Sequence, residues 1–168
     1  MLKRFLAMLG MLLVSAAIPA ADDGALPAVE LYLPNPCLAC IDWAEHLIEN
    51  GFRVTFKETA NMGAIKRRLR VPKGLESIHT AVVGGYFVEG HVPAEDIKQL
   101  LREKPKARGL AVPGLPMGAP GREAKPTELS CETGCTIRDP NAVVDPRREL
   151  YDTLLVLPNG KSAVFARH

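Results

Sequence analysis

The chain has 168 residues, of which 21 are basic, 19 are acidic and four are cysteines. This balanced charge excludes the strongly basic surface expected of a protein that binds nucleic acid or a membrane surface. The length is sufficient for one domain with a hydrophobic core.

The N-terminus has the layout of a secretory signal peptide. Two basic residues, Lys3 and Arg4, precede an apolar run over residues 5–18 and alanines at positions 20 and 21. A membrane anchor is the alternative, but this run is shorter than the ~20 apolar residues of a spanning helix. We therefore expect a signal peptide over residues 1–21. Its removal would leave a soluble, periplasmic protein with no formal net charge.

The first half of the predicted domain alternates strands and helices. Residues 29–33 alternate apolar and polar side chains, which is typical of a strand, and a helix follows that ends at Asn50-Gly51. The predicted buried face of this helix consists of Ile41, Ala44, Leu47 and Ile48. A second strand over residues 53–57 precedes a second helix, which Asn61 caps and which ends at Leu69.

Two further strands and a third helix complete the predicted core. Residues 80–83 and 86–88 flank Gly84-Gly85, which is a signal for a hairpin turn. Pro93 begins a third helix that runs to about Glu103. The order β-α-β-α-β-β-α, with a CxxC motif after the first strand, predicts a thioredoxin-like α/β fold.

The rest of the chain is predicted to add a loop, an insertion and a hairpin. Residues 109–126 are rich in glycine and proline and predict an ordered loop or linker. Residues 122–150 form a polar insertion that contains the second cysteine pair. Residues 151–168 predict a C-terminal β-hairpin around Pro158-Asn159-Gly160, which we assign to the same domain as residues 28–121.

The motif Cys37-Leu38-Ala39-Cys40 carries the clearest chemistry. It opens the first helix, where free backbone N–H groups and the helix dipole favour a thiolate at Cys37. A thiolate attacks disulfides or binds soft metals, and two thiolates suffice for Cu(I), whereas zinc prefers four ligands. A structural disulfide between Cys37 and Cys40 is the third interpretation.

Two other side chains are candidate ligands beside this motif. His79 precedes the third strand, a position that faces the CxxC motif in thioredoxin-like folds, where those proteins carry a cis-proline. There it would bind metal or stabilise a thiolate, unless it only makes a structural hydrogen bond. Met117, in the glycine- and proline-rich segment, would offer a thioether to copper or simply pack.

The other histidines have structural interpretations. His91 precedes the third helix and is predicted to cap it, and His46 is predicted to be a solvated helix residue. His168 is the last residue, where disorder is common.

Cys131 and Cys135 form a separate pair. A small local disulfide is the first expectation for an exported protein, and a resolving pair or additional metal ligands are the alternatives. We also predict that the insertion folds back, so that these two cysteines approach Cys37 and Cys40 and complete a four-thiolate site for zinc or copper.

The chain resembles a domain-of-unknown-function family of exported metal-binding proteins that includes CopG-type periplasmic copper-resistance proteins. The resemblance covers residues 29–121 and 151–168. The matching segments are Trp43-Ala44-Glu45-His46-Leu47, His79-Thr80-Ala81-Val82-Val83-Gly84-Gly85-Tyr86, Val88-Glu89-Gly90-His91-Val92-Pro93-Ala94, Gly109-Leu110-Ala111-Val112-Pro113-Gly114 and Val164-Phe165-Ala166-Arg167-His168.

The chain departs from this family at its metal-binding residues. The family carries a Cys-Gly-Cys-Cys cluster and a further cysteine before His-Thr, and this chain has Ala39 and Ile78 at two of those positions. Leu115 and Arg122 stand where the family tends to carry methionine. The ligands that carry over are Cys37, Cys40 and His79. They support a single Cu(I) rather than a multinuclear cluster.

The resemblance therefore implies a periplasmic copper-handling protein rather than an enzyme, with other periplasmic copper-handling proteins as partners. Thiol–disulfide exchange by the plain CxxC motif is the alternative function. A family member that has lost metal binding and only binds a partner protein is the second alternative.

Overall fold

One mixed β-sheet organises residues 25–123 and 148–168, which are the parts of the chain that the computed structural model describes. The predicted signal peptide and the pair Cys131 and Cys135 lie outside these residues. The described elements, in chain order, are β1 (Val29–Leu33), α1 (Leu38–Glu49), β2 (Val54–Glu58), α2 (Met62–Leu69), a 3₁₀ turn (Lys73–Leu75), β3 (Thr80–Val83), β4 (Tyr86–Glu89), α3 (Ala94–Glu103), β5 (Gly109–Ala111), β6 (Asp152–Val156) and β7 (Ser162–Arg167). No helix in these ranges is long and apolar enough to cross a membrane.

The strand order across the sheet is β2-β1-β3-β4-β5-β6-β7. Strand β1 pairs in parallel with β2 and antiparallel with β3, and β3 forms a hairpin with β4. Strand β5 runs parallel to β4, and the C-terminal hairpin β6–β7 joins the sheet along β5. The predicted α/β architecture and the terminal hairpin are therefore confirmed, and the hairpin extends the same sheet as the CxxC half.

Local signals in the sequence account for several of these elements. The Asn61 side chain accepts a hydrogen bond from the backbone N–H of Ala64 at 3.0 Å, as expected of an N-cap. Gly84 and Gly85 have φ values of 55° and 87°, which a two-residue hairpin turn of type I′ requires. The turn therefore fixes the register of β3 against β4.

The buried face of α1 differs in part from the predicted one: Ala44 and Leu47 are buried as predicted, but the two isoleucines are not. Ile41 is 39% exposed and Ile48 is 51% exposed, so their predicted burial was wrong. The buried residues of this helix are Cys40, Trp43, Ala44 and Leu47. These positions follow the i, i+3, i+4, i+7 spacing of a core-facing stripe, and the large indole of Trp43 occupies its centre.

The predicted loop over residues 109–126 begins with a strand. Gly109 lies so close to β4 that a Cβ atom there would stand 1.9 Å from the Phe87 carbonyl oxygen. Glycine is therefore needed for this close approach of two backbones, although in the sequence it favoured a loop.

The two faces of the sheet have different cores. Helices α1 and α3 cover one face, where Trp43 and Ile97 pack in the larger hydrophobic cluster together with Cys37 and Cys40. Successive strand residues point to opposite faces, so Val88 belongs to this cluster whereas Phe87 belongs to a smaller one on the other face. The CxxC motif thus lies at the edge of the main core.

Candidate metal centre

The CxxC motif lies at the junction of β1 and α1, and its two cysteines form a disulfide. Cys37 is the N-cap residue of α1, and the Cα atoms of Cys37 and Cys40 are 5.3 Å apart. Cys37 is 7% exposed whereas Cys40 is fully buried. The first turn of α1 contains no acidic residue that would compete with a thiolate for its free N–H groups. Once the disulfide is reduced, the helix N-terminus would favour the thiolate form of Cys37, whereas the disulfide itself leaves no thiolate to bind a metal.

His79 occupies the interior beside α1. Its side chain is fully buried, and its ring centroid is 4.5 Å from that of Trp43, which follows Cys40 by one helical turn. Neither ring nitrogen makes a hydrogen bond of standard geometry among the described residues, and a weak contact with the Gly90 backbone has only a minor, raising effect on the His79 pKa. Burial lowers the pKa of His79 well below its usual value, and the nearby His91 and Lys66 lower it further. The imidazole is therefore neutral at physiological pH and has an unused lone pair.

His91 is the second buried imidazole of this site. Its ring centroid lies 4.8 Å from that of His79 in an edge-to-face arrangement. Nδ1 is 2.8 Å from the carbonyl oxygen of Pro120. Because a carbonyl only accepts, the neutral ring must carry its proton on Nδ1, and the lone pair of Nε2 has no partner. Burial lowers the pKa of His91 to about 4.

The predicted roles of the other histidines were wrong. His91 does not cap α3. Instead, the Nε2 atom of His46 accepts a hydrogen bond from the backbone N–H of Ala94 at 3.1 Å, at the first residue of that helix. His168 is ordered, because its Nε2 atom lies 2.9 Å from a carboxylate oxygen of Asp96 and its ring stacks on Tyr151. Sequence position alone could not distinguish the two histidines near α3, since the partner of His46 is 48 residues away.

The glycine- and proline-rich segment after β5 covers the histidine side of the site. Pro120 supplies the carbonyl that binds His91, and a Cβ atom at Gly121 would stand 2.6 Å from the backbone nitrogen of Trp43. The Met117 sulfur accepts a hydrogen bond from the Arg122 guanidinium at 3.4 Å. Met117 is thus held within this segment by a neighbour in the chain.

A buried charged network, which the sequence analysis missed, holds the backbone around His79. Glu89, fully buried on β4, forms an ion pair with Lys66 of α2. Its carboxylate also accepts from the backbone N–H of Ser77 and from the Thr80 hydroxyl, each at 2.6 Å. These two donors flank His79 in the sequence, so the network fixes the segment that carries the imidazole. In the sequence, the signal for it was a glutamate that directly follows the three apolar residues of a strand.

The described residues thus contain two pairs of donor side chains. One pair is the disulfide-bonded Cys37 and Cys40, and the other is His79 and His91. Within residues 25–123 and 148–168, no three His, Cys, Asp or Glu side chains are grouped as a metal ion would require.

Comparison with known proteins identifies the family. The model of the family described as "Protein of unknown function, DUF411" matches residues 75–122, which include both buried histidines. A solved structure of copper resistance protein CopG, Form 2, is 37% identical, with a TM-score of 0.70. The alignment covers 85% of this chain and 98% of that one. The chain belongs to the DUF411 family, together with CopG.

A second CopG structure, Form 1, agrees. It is 38% identical with a TM-score of 0.69, and the alignment again covers 85% of this chain and 98% of that one. No curated protein matches the chain. Family membership therefore rests on near-complete coverage of CopG, and the family model adds the segment that contains His79, His91 and Met117.

Proposed function

We propose that the protein handles copper in the periplasm and holds one Cu(I) ion at the thiolates of Cys37 and Cys40, with His79 adjacent. The observation that carries this proposal is the CxxC pair at the N-terminus of α1 in a chain that belongs to the family of a copper resistance protein. Sulfur ligands select Cu(I), which tolerates a low coordination number. Copper is the cargo here rather than a catalytic cofactor.

The residues fit a soft ion once the disulfide is reduced. The helix N-terminus stabilises negative charge on Cys37, and the buried imidazole of His79 is neutral with an unpartnered lone pair. Zinc fits less well, because it prefers four protein ligands and the described residues offer no such group. Metal retention at these two thiolates should therefore depend on the redox state of Cys37 and Cys40.

A thioredoxin-like core is part of this proposal. It is supported by the order β1-α1-β2-α2-β3-β4-α3 and by a CxxC motif at the first strand–helix junction. Export through a signal peptide over residues 1–21 is likewise inferred from the sequence. A periplasmic location agrees with a disulfide, because that compartment is oxidising.

The test is anaerobic loading of the reduced protein with Cu(I) in competition with a chelator of moderate affinity. Wild type is expected to retain an ion with two sulfur ligands, as seen by X-ray absorption, and Cys37→Ser to lose that two-sulfur shell. Leu38→Ser is the matched control, because this exposed residue lies in the same turn and leaves both thiols in place. Wild type that surrenders its copper to the chelator, or a Cys37→Ser variant that keeps the two-sulfur shell, would refute the proposal.

The second cysteine pair is tested in the same way. If Cys131 and Cys135 join the site, the variant with both replaced by serine binds less metal than wild type. An unchanged metal stoichiometry would restrict the site to the ligands in the CxxC half of the chain.

Thiol–disulfide exchange is the second candidate function, and the Cys37–Cys40 disulfide favours it. Cys37 is slightly exposed and lies at the helix end, as an attacking thiolate must, whereas Cys40 is buried. A measured reduction potential together with an exchange assay on a disulfide-bonded peptide separates the two functions. A very low potential with no exchange would leave only a structural disulfide.

A further inference from the structure

Two imidazoles without partners at the centre of the main core need an explanation. His79 and His91 are both fully buried, and three of their four ring nitrogens make no hydrogen bond of standard geometry among the described residues; His79 has only a weak contact with the Gly90 backbone. Buried polar atoms in native proteins are nearly always paired, and an exception indicates a missing water, an ion or a chemical role. The two rings are adjacent, so a single bound species can satisfy both.

The fourth ring nitrogen shows which kind of species fits. The Nδ1–H of His91 is committed to the Pro120 carbonyl, which fixes the tautomer and leaves the lone pair on Nε2. A histidine that binds metal typically donates its other ring N–H to a carbonyl or carboxylate in this way. His91 therefore has the outer-shell contact of a metal ligand and lacks only the metal contact.

The separation of the rings agrees with a shared ion. With metal–nitrogen bonds of about 2.0–2.1 Å, two imidazoles on one ion have centroids roughly 5 Å apart in a bent, near-tetrahedral arrangement and roughly 6 Å apart in a linear one, so the rings fit the bent arrangement. The His79 and His91 centroids are 4.8 Å apart. The rings are therefore close enough for one ion to contact a nitrogen of each.

We propose that His79 and His91 form a two-imidazole copper site that holds Cu(I) even when Cys37 and Cys40 are joined in a disulfide. The choice of copper rests on the proposed function, whereas the site itself rests on the unpartnered nitrogens. Imidazole is a good copper ligand and, unlike a thiol, remains available after oxidation. The site gives this chain a copper ligand set that does not depend on the redox state of its cysteines.

The test uses the full chain with its disulfide intact and any free thiols alkylated, titrated anaerobically with Cu(I). Trp43 is the only tryptophan and stacks on His79, so its fluorescence reports directly on this site. We expect one Cu(I) per chain, with quenching of Trp43. His91→Phe should weaken binding at least tenfold and abolish the quenching. His46→Gln, which alters a histidine outside the pair, should change neither.

X-ray absorption of the copper-loaded, oxidised wild type provides a readout that needs no variant to fold. Two imidazoles and no sulfur around the ion would support the site. Absence of binding by the oxidised chain, binding unchanged in His91→Phe, or a copper environment without imidazole would each overturn it. Binding by reduced protein alone would overturn this inference and leave the proposed function standing. Binding by oxidised protein alone would support this inference and overturn the proposed function.

Discussion

The ion pair between Lys66 and Glu89 provides the sharpest test of how the structure supports His79. Replacing Lys66 with methionine keeps an unbranched, buried side chain of nearly the same length. It removes the positive charge that pairs with the fully buried carboxylate of Glu89. Breaking a buried pair at one partner typically costs about 3–5 kcal/mol, because the remaining charge is left uncompensated. Ser77 and Thr80 would still donate to Glu89, so we expect a loss near the lower end of that range.

The pH dependence of this loss follows from Glu89. Burial raises the pKa of Glu89, and the hydrogen bond from Lys66 is the largest opposing influence. Without Lys66 the pKa rises further, so the folded variant binds a proton that the unfolded chain releases. A group with a raised folded-state pKa favours the folded state at low pH, and that contribution is lost as the pH rises. The loss of stability in Lys66→Met should therefore be smaller at about pH 5 than at about pH 8.

The assay is urea unfolding of wild type and Lys66→Met at the two pH values, followed by Trp43 fluorescence. Lys98→Met is the matched control, because Lys98 pairs with the exposed Glu95 and its loss should barely change the free energy of unfolding. A Lys66→Met variant that unfolds at the same urea concentration as Lys98→Met would refute the buried network as the support of the His79 segment.

Three further predictions concern other parts of the chain. For His91, whose pKa falls to about 4, the unfolded chain takes up a proton below about pH 6.5 and the folded chain does not. His91 should therefore contribute about 3 kcal/mol to the stability that metal-free protein loses between those pH values, in addition to the loss from the buried His79. His91→Phe should lose that much less than wild type over the range, and a profile as steep as that of wild type would contradict the assignment. Gly109→Ala should destabilise strongly or prevent folding in thermal melts, because its Cβ would overlap the Phe87 carbonyl, and near-wild-type melting would contradict this geometry. Asn61→Ala should cost about 1 kcal/mol in urea unfolding by removing the cap on Ala64, whereas an unchanged midpoint would show that the cap contributes nothing.

Much of the fold could be predicted because short-range signals agree with the structure. The Gly84-Gly85 turn, the Asn61 cap and the alternation in β1 each depend on neighbouring residues, and each was confirmed. Strand β5 was missed because its glycine serves a contact with β4, about twenty residues earlier in the chain. A glycine required for a close backbone approach cannot be distinguished from one in a loop by composition alone.

The site was only partly predictable for the same reason. The CxxC motif is local, so its position at the start of α1 could be inferred. The pairing of His79 with His91 depends on the β3–β4 hairpin, which brings two distant positions together, and it was not predicted. The contact at the start of α3 was assigned to His91 instead of His46 because only His91 lies near that helix start in the sequence, whereas His46 reaches it through the fold. The full burial of His91 was not predicted.

Binding of copper by the thiolates of Cys37 and Cys40 is tested most directly by X-ray absorption on reduced, copper-loaded protein, which measures the ligands of the ion. We expect a sulfur shell that is present in wild type and in Leu38→Ser and is lost when Cys37 and Cys40 are both replaced by serine. Copper surrounded only by nitrogen and oxygen in the reduced wild type, or a sulfur shell that survives the double replacement, would contradict it.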